Sequence, residues 1–135
     1  MGILDRFRRQ PPDPTGAETA TIMIDLAETF RTGTARLGWD RTEAARLDAL
    51  CEGFLATNPP PEYKHNMIMG LGAYLGELLV RHGGGRWEYD PRQKAAVVAM
   101  PNGLQAYPHN KVAKRLEHGP EHSLLTFYQY GLAER

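Results

Sequence analysis

The chain of 135 residues has one cysteine and one serine, and its 16 basic and 16 acidic side chains leave a net charge of zero. With Cys51 alone, neither an intramolecular disulfide nor a cysteine-rich zinc site can form. Ser123, the sole serine, stands in no nucleophile-elbow motif, and no P-loop occurs anywhere. No apolar run approaches the roughly 20 residues of a membrane span, and no signal-peptide pattern opens the chain, so a cytoplasmic protein is expected. Zero net charge argues against a nucleic-acid or membrane specialist.

What is present suits a single domain. The hydrophobic fraction is 41%, which excludes disorder throughout, and a chain of this length buries a sizeable core. The neutrality is uneven: residues 12–62 carry −5 and residues 81–116 carry +5. An acidic first half is thus joined to a basic segment, and these charges face either each other or a partner.

Residues 1–15 (Ile3, Leu4 and Phe7 among three arginines, then Pro11, Pro12 and Pro14) read as an arm outside a domain spanning 16–135. Such an arm would make at most weak membrane contact. Helical periodicity predicts a first helix over about 17–36, with Ile22, Met23, Leu26, Ala27 and Phe30 in one arc. Asp40 with Glu43 resembles a capping box opening a second helix, which Asn58 and three prolines stop. A third helix, about 62–82, is apolar over most of its circumference, as a central helix should be. Its water-facing strip would contain Asn66, Gly70, Glu77 and Arg81. The period then changes to two over 86–90, 94–100 and 103–107, with turn residues at Asp90-Pro91 and Pro101-Asn102-Gly103. Helices over 110–118 and 121–130 close the chain. The fold class is α+β, ordered ααα-βββ-αα, with a three-stranded antiparallel meander.

Gly70, Gly72 and Gly76 have the wrong spacing for a dinucleotide fingerprint and lie inside a helix, so they read as packing positions. A metal site would need His109, His118 and His122 to converge, although Gly119-Pro120 separates the last two; no metal or other cofactor is expected. Cys51 falls on an apolar stripe, where a thiol acts as a small hydrophobe. Glu77, alone on the apolar helix, pairs with Arg81 at i+4 or, if buried, ties the central helix to the sheet. Arg81, Arg86, Arg92, Lys94, Lys111, Lys114 and Arg115 are interleaved with Trp87, Tyr89 and Tyr107, a pattern that suits nucleic acid or an acidic protein surface.

From the third helix onward, Gly72-Ala73-Tyr74-Leu75-Gly76-Glu77, Gly84-Gly85-Arg86-Trp87, Tyr107-Pro108 and Leu124-Leu125-Thr126-Phe127-Tyr128 resemble a group of small bacterial proteins of unknown function. That group includes immunity-like and other protein-binding modules, so the resemblance implies a binding role and supplies no catalytic residues. An Arg-to-Lys ratio of 12 to 4 suits a high-G+C bacterium. The leading expectation is a non-enzymatic module that binds an acidic protein surface through Arg92, Lys94, Lys111, Lys114 and Arg115. Nucleic-acid binding by the same charges is the second. The third is a small enzyme using Glu77 with a histidine such as His109, in a pocket that would include Tyr74, Arg81 and Trp87. Oligomeric state is not legible.

Overall fold

A computed structural model describes residues 11–133. Five helices and a three-stranded sheet follow one another in the expected order, with differences that have local causes.

The first helix, α1 (Gly16–Thr29), starts at a capping box: Thr15 Oγ1 accepts the Glu18 N–H and Glu18 Oε1 accepts the Thr15 N–H, at 3.1 and 2.8 Å. Two otherwise orphan donors are thereby satisfied. Met23, Ala27 and Phe30 are buried as expected, but Ile22 is half exposed. The helix widens into a π turn over Phe30–Ala35 and ends at Arg36, in the left-handed region at φ 52°, not at a glycine. The capping box expected at Asp40 does not form. The Asp40 side chain makes no cap bond, and Glu43 instead accepts the Gly38 N–H and the Arg46 guanidinium, both at 2.9 Å. A 3-10 turn over Arg41–Arg46 therefore leads into α2 (Leu47–Ala56), which buries Leu47 and Cys51.

The central helix, α3 (Pro61–Gly83), is buried without a break from Gly70 to Leu79. The expected water-facing strip is therefore dry at Gly70 and Glu77, because neighbouring elements cross it there. Phe30 packs on Gly70, the His109 ring on Gly72, and Trp87 with Pro108 on Gly76. Small residues here admit rings, and at Gly72 they also admit the backbone of the helix that carries His109. The end is set by Gly84, whose φ of 72° favours glycine and whose N–H reaches the Val80 carbonyl.

Strands β1 (Arg86–Asp90), β2 (Ala95–Ala99) and β3 (Gln105–Ala106) form the antiparallel meander in sequential order. Trp87 pairs with Val98 and Val98 with Ala106, so their side chains share the face turned to α3. In the first turn Asp90 Oδ1 accepts the Arg92 N–H, and Lys94 closes the hairpin in the left-handed region at φ 50°. In the second, Asn102 Oδ1 accepts the Leu104 N–H at 2.9 Å. Then come α4 (Pro108–His118), a 3-10 turn over Pro120–His122, and α5 (Leu124–Leu132).

Candidate functional site

Tyr74, Glu77, Arg81, Trp87 and His109 belong to one connected set, completed by Trp39. Glu77 is 3% exposed, and both its oxygens are taken. Oε1 accepts from Arg81 Nε at 3.1 Å and Oε2 from the Trp87 indole N–H at 2.9 Å. Arg81 in turn lies over the Trp39 ring, 3.8 Å from its centroid, with Arg31 at 5.2 Å, and Tyr74 stacks on the same indole. The Tyr74 hydroxyl donates to the Gly38 carbonyl at 2.6 Å, fixing the loop that carries Trp39. Trp87 also touches the His109 ring, with centroids 6.3 Å apart. Trp87 is thus in contact with both members of the acid–histidine pair expected for an enzyme, and no hydrogen bond joins Glu77 to His109 among the described residues. This carboxylate ties α3 to β1 and to Trp39, a purpose for which two hydrogen bonds to a buried charge are needed.

His109 rests on Gly72, where any side chain would displace it. Burial pushes its pKa down to about 4, against the opposing hydrogen bond of the Met69 carbonyl, so the ring is neutral at pH 7. Its Nε2 is buried without a hydrogen-bond partner.

A second polar cluster joins the acidic half of the chain to the basic segment. Asp48 on α2 accepts from Arg115 Nε at 2.9 Å, from the Ser123 hydroxyl at 3.0 Å, and from the N–H groups of Leu124 and Leu125 at 2.9 and 3.2 Å. Glu52, one turn further on, takes Arg115 Nη1 at 2.8 Å. Burial opposes the charge on Asp48, but the hydrogen bonds from Leu124, Arg115, Leu125 and Ser123 outweigh it and hold the carboxyl below the usual range. Arg115 is therefore 2% exposed and internally paired, and its expected place on a partner-binding surface is corrected. It occupies the inward side of α4 with Pro108 and Val112, the i, i+4, i+7 positions.

The other four expected cations stay outside. Arg92, Lys94 and Lys114 are exposed and Lys111 is half-buried, and none forms an ion pair among the described residues. Arg92 and Lys94 crown the β1–β2 turn. Lys111 and Lys114 stand about 60° apart on α4, so they share one side of it. The hairpin and the start of α4 meet where Gln93 and Ala95 approach Tyr107 and Asn110. Of the aromatics interleaved with these charges, Trp87 is buried and Tyr107 donates its hydroxyl to Asp90.

Beside the hairpin lies a cleft of about 320 Å³ whose walls include Ile22, Met23, Met69 and Ala96. Tyr89, Lys94 and His109 supply its polar side chains together with Thr19, whose hydroxyl donates to the Thr15 carbonyl. Pro14 also lines it, so the last part of the expected arm packs against the domain; residues 1–10, including Ile3, Leu4 and Phe7, lie outside the described residues.

His118 and His122 approach, with ring centroids 5.5 Å apart, while His109 sits at the opposite end of α4. Among the described residues no group of three or more His, Cys, Asp or Glu is placed to hold a metal ion. No described helix is long and apolar enough to cross a membrane.

Trp39 and Asp48 were not singled out by the sequence. Trp39 follows Gly38 in a loop without periodicity, and Asp48 finds its partners 67 to 77 positions away. The lone serine just before an apolar run was the one available signal, since serine there is a helix cap. Comparison of the chain with protein-family models, with curated proteins and with solved structures gives no match.

Proposed function

We propose that this protein is a non-catalytic binding module that takes an acidic surface of a partner protein on the face formed by the β1–β2 turn and the outer side of α4. One observation carries this reading. Of the seven cations in the segment 81–116, Arg81, Arg86 and Arg115 are each held by a carboxylate of the chain, whereas Arg92, Lys94, Lys111 and Lys114 form no ion pair among the described residues. Arg115 is neutralised in the interior, Arg81 and Arg86 by pairs that reach the surface, and the unpaired surplus stands on the β1–β2 turn and α4. Charges so placed steer association and fix its register more than they add affinity. The same separation speaks for binding over acid–base chemistry: Glu77, the most enclosed carboxylate in the set, has both oxygens engaged.

The test is a fourfold variant, Arg92→Glu with Lys94→Glu, Lys111→Glu and Lys114→Glu, used beside the wild type to capture proteins from the source cell. The expected result is an acidic protein retained by the wild type at low ionic strength, released by salt and lost from the variant. Identical capture by both proteins overturns the assignment. So does salt-dependent retardation of DNA or RNA by the wild type that the variant lacks, which would give the same cations to nucleic acid.

A further inference from the structure

The cleft beside the hairpin has a chemistry of its own, and its content does not depend on the partner reading above. We propose that it binds a small apolar monocarboxylic acid, with the hydrocarbon body between α1, α3 and β2 and the carboxylate on Lys94. Its size sets the first limit. At about 320 Å³ the cleft lies at the small end of ligand-pocket volumes, roughly 300–1,000 Å³. A short fatty or arylalkyl chain suits it.

The walls set the second limit. Ile22, Met23, Met69 and Ala96 offer aliphatic and thioether surface, and methionine adapts to ligands of differing outline. Ile22 remains half exposed at the rim, apolar surface that a ligand would cover.

Charge sets the third. Among the described residues no carboxylate lines the cleft, and Lys94 is its one cation. His109 is neutral there, because burial disfavours its charged form. The Tyr89 hydroxyl makes no hydrogen bond among the described residues and is free to donate. One cation and one phenol match a single carboxylate. A phosphate dianion would call for a second cation or a nest of N–H groups.

The backbone of Lys94 points the same way. It closes the turn at φ 50°, a conformation that glycine or asparagine would hold with less strain. That turn sets the lysine at the mouth of the apolar cleft, whose wall it forms with Tyr89 and Ala96.

The experiment uses the full chain with isotope-labelled methionine methyl groups. Octanoate, with ten non-hydrogen atoms by its formula, is the probe, and octan-1-ol and octylamine are the comparators. Octanoate is expected to shift the Met23 and Met69 methyl signals saturably, the alcohol to bind about tenfold more weakly, and the amine least. Lys94→Gln should bring the acid down to the level of the alcohol and leave the alcohol unchanged. That pattern separates loss of the charge from loss of the cleft. Three results overturn the proposal: no saturable shift with millimolar octanoate, an undiminished acid preference in Lys94→Gln, or contacts from Ile3, Leu4 or Phe7 to the Met69 methyl in the unliganded chain. The last would make the occupant the chain's own beginning. No partner protein is present, so the result is independent of the capture experiment.

Discussion

Trp87 and Glu77 show how one polar contact inside an apolar layer sets the cost of a substitution. Trp87→Phe keeps a ring against Gly76 but removes the indole N–H, leaving a buried carboxylate oxygen without its donor. The expected loss is about 2–4 kcal/mol, read from urea denaturation. Glu77→Gln keeps an acceptor for the indole and gives up mainly the pairing with Arg81, whose side chain is 40% exposed, so it should cost less than Trp87→Phe. Gly76→Ala tests the packing from the other side. Alanine gains about 1 kcal/mol of helix propensity, but its methyl would overlap the Trp87 ring, and overpacking costs about 1–3 kcal/mol. A variant as stable as the wild type would show that the ring has room to move. His109 gives a pH signature. Its folded pKa lies near 4 and its ordinary value at 6.5, so between these limits the unfolded chain holds more protons and folding stability falls as the pH is lowered. The full effect is about 3 kcal/mol, and His109→Asn should remove that part of the stability–pH curve.

The elements themselves were largely legible, because their signals are local. Period two at Trp87 and Tyr89, the proline and asparagine turns, and the apolar circumference of α3 all follow from neighbours a few positions apart. Polar residues that changed sides depend on distant ones. Glu77 lies on the least apolar strip of its own helix, yet β1 crosses that strip and donates an indole N–H to it. Arg115 carries a full charge and reads as a surface residue beside the lysines, although its spacing from Pro108 and Val112 puts it on the inward side of α4. Asp48 reads as an ordinary helix acid, and only the arrival of α5 reveals it as the cap of another helix. Its cap predicts an acid response of the same sign as that of His109, in a lower pH window. The folded pKa is lowered, so the stabilisation is complete above the unfolded value near 3.9 and is lost as the pH falls through the folded one. Asp48→Asn should therefore be less stable than the wild type at pH 7, by about 1–3 kcal/mol, and the gap should close in strong acid.

Across the molecule, zero net charge proves to be two arrangements. Part of the balance is internal, where Asp48 and Glu52 of the acidic half enclose Arg115, and part is a surplus of lysine and arginine held at the hairpin and α4. Raising the salt concentration should affect these parts differently: stability little, association strongly. Cys51 offers a probe of the whole. Burial raises its thiol to about 12, so at neutral pH it is un-ionised as well as enclosed, and reaction with a disulfide reagent requires the fold to open. It sits one helical turn from Asp48 on α2. The amide protons of Leu124 and Leu125, in the first turn of a helix where exchange with solvent is ordinarily fast, point at that same carboxylate. Their exchange should be slow, keep pace with Cys51 modification as denaturant is added, and become rapid in Asp48→Asn while the middle of α3 stays protected. The clock of the C-terminal helix is thus set by a side chain in the first half of the chain.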